Sequence, residues 1–473
     1  MSRLDSYTFS APAGPVSCLA FDFGAGSGRA MLARLEAGQL SMAEVHRFDT
    51  ATCTYDGQLC WDMNALRTGL EDGLARALEH GPLHAVGVDS WGVDFGLLDG
   101  RGELVMPPLH YRNGHGRGGL DQGRLSLAAM HRRTGAQRMD INTVYQLLAV
   151  AQRWPEQLDQ ADTMLMMADL LAAHLSGTYQ AEYTLASTSG LFDLARGDWD
   201  RELVAELGLP ERILPPVVRA GTVCGPVRAE LMPDATHGTA VVAVGSHDTA
   251  SAVAGLKLAP DEAFLILGSW SLLGVENDAP VFDERTLAHG FGNEGGVCDT
   301  QRLITNINGL YLIQMLRDAW HRHHGLWLDY AEIAEAARAV SLAEEVQIEP
   351  NDERFFAPDD MIAAIDDVLA ERGQAKPEGL GEYALLIYRG LAAQIADKIA
   401  VLETVFERPV AAIRVSGGGS QDALLCDSIE RATGKPLRHG AIEASAYGNV
   451  LMQLKGLGVV DSLASARALL PEA

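Results

Sequence analysis

The hydrophobic and polar positions of this chain follow strand and helix patterns in alternation. Short apolar runs at residues 17–22 and 30–35 predict two strands joined by a glycine-rich turn, that is, a β-hairpin. Between residues 63 and 78, apolar side chains recur at spacings of three and four, which predicts an amphipathic helix that ends at Gly81. A strand at residues 84–89 follows at once. This order of hairpin, helix and strand indicates an α/β fold.

The second half of the chain repeats this opening. Residues 262–267 predict a strand, residues 268–271 a tight polar turn and residues 272–275 a return strand. Helices are predicted at residues 309–320 and 382–406. Because the hairpin recurs with different side chains, we expect two domains built on one plan, each contributing a turn to the same ligand.

The middle of the chain, from about residue 121 to 216, is predicted to be mostly helical. Asn142 is the expected N-cap of one helix, and residues 164–176 are expected to form another. Just before this stretch, residues 95–102 predict a strand with an Asp-Gly turn.

Length, charge and cysteine usage narrow the function classes. A chain of 473 residues exceeds what one hydrophobic core usually supports, so two domains are expected. Its 37 basic and 63 acidic side chains give a net charge of -26, which disfavours binding to nucleic acid or to an anionic membrane. The start of the chain lacks a signal-peptide pattern, and the six cysteines are scattered. We therefore expect a cytoplasmic protein with reduced thiols.

Asp248 stands where a predicted strand meets a predicted helix. Residues 241–244 are apolar and small or branched, and residues 245–254 are mostly small, as in a tightly packed helix. One interpretation is helix capping, because Ser246, Asp248 and Thr249 can each accept a hydrogen bond from the first free amides. The other interpretation is a catalytic base held at the end of a strand. Spacing alone favours the cap.

The first glycine turn, residues 23–29, is a candidate phosphate site. Three glycines in five positions let backbone amides approach an anion without steric cost. Asp22 points at the same place and is expected to hold Mg²⁺ through water. A dinucleotide-binding turn needs a glycine three residues after Gly26, where Arg29 stands instead. A purely structural glycine turn is the remaining alternative.

A further glycine cluster, residues 415–421, follows the predicted strand 411–415 and precedes a helix. Such a turn can bind nucleotide phosphate at the helix N-terminus or let an adenine lie against the main chain. The chain has no P-loop pattern. Three separated glycine turns with an aspartate between them are more specific than any one turn.

The segment that follows the strand 84–89 is suited to a polyol. Asp89 and Asp94 offer carboxylates that accept from hydroxyl groups, Trp91 offers a flat apolar surface, and Gly92 leaves space beside it. The alternative is that Trp91 belongs to the core and that the two aspartates are turn residues.

Nine blocks of the sequence, in order along the chain, form a recognisable set: Phe21-Asp-Phe-Gly-Ala-Gly-Ser-Gly-Arg29, Val88-Asp-Ser-Trp-Gly-Val-Asp-Phe95, Asn142-Thr-Val-Tyr-Gln146, Ser246-His-Asp-Thr-Ala-Ser251, Leu267-Gly-Ser-Trp-Ser271, Asn293-Glu-Gly-Gly296, Asn306-Ile-Asn-Gly-Leu310, Val415-Ser-Gly-Gly-Gly-Ser-Gln421 and Glu443-Ala-Ser-Ala-Tyr-Gly-Asn449. The set resembles the FGGY carbohydrate kinases of the actin and hexokinase superfamily, and within them the group that phosphorylates L-rhamnulose. It covers the chain from about residue 18 to 460. The resemblance implies two RNase-H-like domains, 16–250 and 251–473 after a tail of residues 1–15, with a deep cleft for sugar and ATP.

The resemblance also implies roles for single residues. Asp248 is expected to be the general base, and Gly92, His247 and Asp248 are expected to face the sugar. From the chemistry of the sugar rather than from the resemblance, we add Trp91 as an apolar wall and Asp94 and Gln146 as polar candidates. The ATP side is expected to include Ala25, Gly26, Ser27, Gly28, Arg29, Ser269, Asn306, Gln314 and Gly418. The chain departs from the family pattern at Ser269 and Gly26, and toward the sugar at Asn113, where an acid is usual, and at Ala168, where proline is usual.

These expectations give a reaction. Asp248 accepts the proton of a primary hydroxyl while the γ-phosphoryl group of Mg·ATP is transferred to that oxygen of an open-chain or furanose ketose. L-Rhamnulose, phosphorylated at O1, is the favoured substrate, with L-fuculose, L-xylulose and L-ribulose as alternatives. The other function class is an actin-like ATPase that acts on a protein partner. We expect a monomer or a homodimer.

Overall fold

The computed structural model describes residues 14–123, 126–137, 139–232, 238–343 and 346–471. Most of the predicted tail of residues 1–15 lies outside the described residues. Within the ranges given, no helix is long and apolar enough to cross a membrane.

The strands that the described residues form are β1 Val16–Phe23, β2 Ser27–Glu36, β3 Gln39–Asp49, β4 Thr52–Tyr55, β5 Gln58–Trp61, β6 Ala85–Ser90, β7 Phe95–Leu98, β8 Thr163–Met166, β9 Ala181–Glu182, β10 Phe192–Asp193, β11 Asp198–Trp199, β12 Val217–Val218, β13 Val223–Pro226, β14 Ala240–Val242, β15 Glu262–Leu267, β16 Trp270–Asn277, β17 Gly292–Gly295, β18 Gln301–Asn308, β19 Ala412–Ser416 and β20 Leu437–His439.

The helices are α1 Met63–Leu78, α2 His115–Asp121, α3 Leu127–Thr134, α4 Thr143–Arg153, α5 Pro155–Gln160, α6 Met167–Ser176, α7 Tyr183–Ala186, α8 Arg201–Glu206, α9 Asp248–Ala254, α10 Glu284–Ala288, α11 Tyr311–His324, α12 Tyr330–Arg338, α13 Met361–Glu371, α14 Leu380–Phe406, α15 Ala423–Thr433, α16 Ala444–Gly456 and α17 Leu463–Arg467.

The first large sheet has the strand order β13-β14-β6-β1-β2-β3. Its first strand, β1, runs antiparallel to β2 and parallel to β6, and β14 runs parallel to β6. At the carboxyl ends of β1 and β6, Asp22 lies opposite Asp89. Because ligands of open α/β sheets bind at the carboxyl ends of the strands, this edge positions the candidate site.

The second large sheet has the order β17-β18-β16-β15-β19-β20. Its first strand, β15, runs antiparallel to β16 and parallel to β19, as β1 does to β2 and β6. Each sheet therefore has the same centre, in which the first strand lies between its antiparallel hairpin partner and a later parallel strand, and the two sheets differ in the order of their edge strands. The expected repetition of one plan in a two-domain α/β fold is therefore confirmed.

Helices α9 and α16 cross where the two halves meet. A Cβ atom at Gly448 would lie 1.8 Å from the carbonyl oxygen of Ser251, and one at Gly255 would lie 2.0 Å from that of Ala444. Only glycine allows this approach. Helix α16 belongs to the end of the chain and yet packs on β1 and β6 of the first sheet. The domain division at residue 250 therefore stays a prediction.

Two local predictions differ from the structure. The helix predicted at residues 164–176 begins only at Met167, because Thr163–Met166 forms β8 and pairs with β7. An apolar run that is buried on all sides carries no period that separates strand from helix. Asn142 precedes α4, but its side chain makes no capping hydrogen bond. It accepts from the amide of Met139 at 2.7 Å and donates to the carbonyl of Thr188 at 3.3 Å.

Candidate active site

Asp248 is the first residue of α9, one turn past the end of β14. The capping position is His247, whose side chain makes no capping hydrogen bond, so the structure does not support a capping role for this loop. The carboxylate of Asp248 accepts from the hydroxyl of Thr249 at 2.9 Å, and 34% of its side chain is exposed. Removal from water and the nearby charge of Asp22 raise the pKa of Asp248, and His247 partly offsets the rise.

The carboxylates of Asp22 and Asp89 lie near that of Asp248. Asp89 has no exposed surface, and its Oδ1 has no hydrogen-bond partner among the described residues. Burial, and then the charges of Asp22 and Asp248, raise the pKa of Asp89 well above its usual range. Asp89 was noted in the sequence as a hydroxyl acceptor but was not included in the predicted site.

The first glycine turn is a hairpin loop with its backbone open to solvent. The amide of Gly24 donates to the carbonyl of Ser27 at 3.0 Å, and Ala25 and Gly26 are exposed. A side chain at Gly26 would meet nothing within 4 Å. The backbone at Ala25 and Gly26 is therefore accessible from solvent, and anion binding by this loop stays a prediction.

Arg29 follows this loop, but its guanidinium turns back into the protein. It donates to Asp22 Oδ2 at 2.6 Å and to Glu443 Oε2. Two carboxylates thus neutralise the charge that was expected to face phosphate, and Arg29 links the first sheet to the start of α16.

Helix α16 presents a ladder of polar side chains to the first sheet. Ser445 donates to Asp22 at 2.7 Å, Asn449 donates to Asp89 at 2.6 Å, and Gln453 donates to the carbonyl of Leu19 at 2.9 Å. A spacing of four residues places these three side chains on one face of the helix. Sequence reasoning missed this ladder, although polar residues at that spacing within an apolar helix are a visible signal.

The indole groups of Trp91 and Trp61 pack together in the core of the first half, with Trp61 fully buried and Trp91 6% exposed, as the core alternative for Trp91 expects. Their ring centroids are 4.1 Å apart, and both indole N–H groups donate to Asp94 Oδ2, at 3.1 Å from Trp91 and 2.7 Å from Trp61. Gln146 donates to Asp94 Oδ1 at 3.0 Å. Burial raises the pKa of Asp94 to about 6, although these donors hold it down. Asp94 is 0% exposed and Gln146 1% exposed, so their placement favours holding the indoles over direct contact with a sugar.

Gly92 follows Trp91 in the chain and lies close to His247, the residue before the predicted base. A Cβ atom there would be 3.2 Å from Thr188 Oγ1 and 3.4 Å from His247 Nε2. The next residue, Val93, has a φ of 68°, which is strained for a β-branched side chain. The tight turn therefore brings the backbone of Gly92 close to Thr188 and His247, where a larger side chain would have little room.

Glu182 anchors the loop that carries the base. Its Oε2 accepts from the amides of Ser246, Thr184 and Leu185 at 3.1, 2.9 and 3.2 Å. Its Oε1 is buried and has no partner among the described residues. Burial raises the pKa of Glu182 to about 7, against the effect of these donors. Glu182 was also missed from the sequence, because nothing local marks it.

Of the predicted nucleotide residues of the second half, Ser269 and Gln314 are in contact, and the Gly418 turn packs against the strand that precedes Ser269. Ser269 is exposed and its hydroxyl lies 3.3 Å from Gln314 Nε2. Gly418 is exposed, and a side chain there would meet nothing within 4 Å. A Cβ at its neighbour Gly419 would meet Leu267 at 2.9 Å, which places this turn against the end of β15. Asn306 lies apart from this contact, since it donates to Gln137 of the first half at 3.0 Å.

The two departures toward the sugar have structural explanations. Asn113 accepts from the amide of Leu59 at 2.8 Å and donates to its carbonyl oxygen, a pair of contacts that an ionised aspartate could not make. Ala168 is fully buried in α6, within the core of the first half. Neither change alters a side chain that the structure places beside Asp248.

The family comparison covers nearly the whole chain. Residues 17–255 match the model of the N-terminal domain of the FGGY family of carbohydrate kinases, and residues 263–457 match that of its C-terminal domain. A curated protein of Pectobacterium atrosepticum named Rhamnulokinase is 37% identical over 462 residues, which is 96% of this chain and 90% of that protein. A Bacillus subtilis protein of the same name is 34% identical and covers 95% and 92% of the two chains.

Solved structures support the fold. A gluconate kinase of Lactobacillus acidophilus superposes with a TM-score of 0.80 at 15% identity, over 97% of this chain and 92% of that one. A xylulose kinase of the same organism superposes with a TM-score of 0.78 at 15% identity, over 96% and 92%.

Proposed function

This chain belongs to the FGGY family of carbohydrate kinases, and we propose that it transfers the γ-phosphoryl group of ATP to the O1 hydroxyl of L-rhamnulose. Its membership makes it a sugar phosphotransferase. The choice of sugar is supported by relatives named Rhamnulokinase, which are 32–37% identical over 96% of this chain. L-Fuculose, L-xylulose and L-ribulose remain the alternatives.

The observation that carries the mechanism is the position of Asp248, which is partly exposed, does not cap its helix and lies beside His247. As the O1–phosphorus bond forms and the bond from phosphorus to the β-phosphate oxygen breaks, the carboxylate of Asp248 takes the O1 proton and ADP leaves. Gly92 and the adjacent His247 orient the sugar in this proposal. The raised pKa of Asp248 makes it a stronger base than an ordinary aspartate.

The phosphate chain of ATP is proposed to lie against the amides of residues 25–28, with the adenosine at the corner of Ser269, Gln314 and Gly418. Backbone amides that donate to the phosphate oxygens stabilise the transition state of the transfer without adding a charged side chain. Arg29 contributes by holding Asp22 in place rather than by contacting phosphate.

A magnesium ion is also proposed. Among the described residues, no three His, Cys, Asp or Glu side chains form a cluster that could hold a metal ion by themselves. Two carboxylates, those of Asp22 and Asp89, one of them with a buried oxygen that lacks a partner, fit a Mg²⁺ that takes its other ligands from ATP and water. The ion would neutralise charge on the phosphates when bound.

A screen of ADP release over ketoses and aldoses tests the proposal. We expect the highest kcat/KM with L-rhamnulose and little ADP release without sugar. If a ketopentose is preferred by more than tenfold, the substrate is wrong and the kinase chemistry stands. If ADP release does not depend on sugar and rises with a protein partner, the ATPase alternative is correct.

A cytoplasmic location and a monomeric or homodimeric state belong to this proposal, since ATP and a small sugar require no membrane.

A further inference from the structure

Residues 110–138, here called the basic segment, differ in charge from the rest of the chain. They contain six arginines and a single acidic residue, Asp121, whereas the whole chain has a net charge of -26. Arg124 and Arg138 of this segment lie outside the described residues. Positive charge that is concentrated in one part of an acidic protein produces a local field that attracts anions.

The basic segment contacts the second half beside two of the predicted ATP residues. At its start, the guanidinium of Arg112 lies 4.9 Å from the centroid of the Tyr311 ring, and the amide of Tyr311 donates to the carbonyl of Ser269 at 3.2 Å. Near its end, Gln137 accepts from Asn306 at 3.0 Å. Because Ser269 and Asn306 are predicted on the ATP side, the segment runs along the nucleotide side of the junction between the halves.

Three arginines of the basic segment have a charge that no ion pair offsets. Arg112, Arg117 and Arg132 are exposed, and no carboxylate among the described residues pairs with them. Arg133 differs, since Asp200 accepts from its guanidinium at 2.8 Å. The three unpaired guanidinium groups therefore contribute their full charge to the field around the segment.

The carboxylates of the site oppose the approach of an anion. Those of Asp22, Asp89 and Asp248 lie near one another, and the charge of Arg29 is already offset by Asp22 and Glu443. Mg·ATP has a net negative charge, so its approach is unfavourable unless positive charge nearby offsets the carboxylates. A neutral sugar does not experience this repulsion.

We propose that the basic segment is an electrostatic guide for the triphosphate of ATP, which raises the association rate and the affinity of the nucleotide without acting on the sugar. Such a field extends over about 8 Å at physiological ionic strength, so the arginines need not contact the phosphates. Added salt weakens the field. This inference rests on the proposed use of ATP but not on which sugar is used.

A triple variant, Arg112→Gln with Arg117→Gln and Arg132→Gln, tests the guide. The probe is an ATP analogue with a fluorescent group on its ribose, bound in the presence of Mg²⁺. At low ionic strength we expect its Kd to rise on the order of 3–10-fold, with slower association. At about 1 M salt, where charges are screened over about 3 Å, the difference should vanish. An equal rise in the KM for the neutral sugar would indicate structural damage and would overturn the proposal.

The matched control removes the same charge elsewhere, in the triple variant Arg76→Gln with Arg408→Gln and Arg431→Gln. These arginines are also exposed and have no carboxylate partner in the described part of the chain. They stand at or just after the ends of α1, α14 and α15, which lead to the starts of β6, β19 and β20, away from the carboxyl ends that form the site. We expect an unchanged Kd. If both triple variants weaken binding equally, the effect belongs to the net charge and the proposal is wrong.

The outcomes separate this inference from the proposed function. If the protein binds the ATP analogue with a Kd that does not depend on salt, the guide is refuted while the kinase assignment stands. If the basic-segment variant loses ATP affinity and its control does not, yet no sugar is phosphorylated, the guide is supported and the proposed function fails. Should the triple variant fail to fold, Arg117→Gln alone is expected to raise the Kd about twofold at low salt, and no change would refute the guide.

Discussion

Replacing Asp248 by asparagine separates a catalytic base from a structural residue. The two side chains have the same shape, and asparagine still accepts from the Thr249 hydroxyl, which is 2.9 Å from the Oδ1 of Asp248. The N-cap of α9 is His247, so the substitution removes no capping bond. What it removes is the ability to take a proton from the sugar.

The structure gives the size of each effect. Loss of a positioned base lowers turnover by about 10²–10⁴, which is about 2.7–5.5 kcal/mol of transition-state stabilisation. Stability should not fall, because Asp22 and the removal from water raise the pKa of Asp248 and thus disfavour its charge. A neutral side chain relieves that repulsion. We expect a melting temperature equal to or above that of the unaltered protein.

The assay is ADP release at saturating ATP and sugar, together with ATP affinity and thermal unfolding. Asp329→Ala is the control for a true cap, since Asp329 accepts from the amide of Glu332 at 2.8 Å at the start of α12. That variant should lose about 0.5–2 kcal/mol of stability and keep its turnover. A turnover of Asp248→Asn within tenfold of the unaltered enzyme would refute the assignment of the base.

Three further predictions follow from the same geometry. Gly418→Val should weaken ATP binding and spare sugar binding, because the open space at Gly418 is where adenosine is proposed to lie; Gly379→Val, equally open at the start of α14, should leave ATP affinity unchanged. Glu182→Gln should match the unaltered protein in stability near pH 4 and exceed it by up to about 3 kcal/mol at pH 8. The reason is that burial raises the pKa of Glu182 from 4.5 to about 7, so the unaltered protein loses stability as the pH rises from about 4.5 to 7. An equal difference in stability between the two proteins at pH 4 and at pH 8 would contradict this. Chelation of divalent cations should abolish ADP release, and added Mg²⁺ should restore it.

The elements of the fold could be predicted where neighbouring residues determine them. The two hairpins at residues 16–36 and 262–277 combine apolar runs with tight turns, and both form as expected. Strand β8 could not be predicted, since its partner β7 lies more than sixty residues earlier in the chain. Its apolar residues are equally compatible with a buried helix.

The residues of the site also divide into those that local sequence marks and those that only distant contacts bring into place. Asp22 and Asp248 were identified because each stands at a strand end, next to a turn that the sequence marks. Glu182 acts through a contact across the fold, since 64 residues separate it from Ser246, whose amide it binds. No spacing in the sequence predicts such a contact, because it depends on how distant segments pack against each other.

The two large sheets share one plan but differ in the charge at their strand ends. One residue before the end of the first strand stands Asp22 in β1 but Ile266 in β15, and the partners across the parallel pairing are Asp89 and Ser416. The first sheet therefore places carboxylates at the strand ends, and the second sheet places neutral groups there. A base and a cation need carboxylates, and a triphosphate near them needs that cation to offset their repulsion. The difference between the two copies therefore supports the proposal that the sugar, Mg²⁺ and the phosphate chain meet at the first sheet while the adenosine lies at the second, from residues that the hairpin pattern alone treats as equivalent.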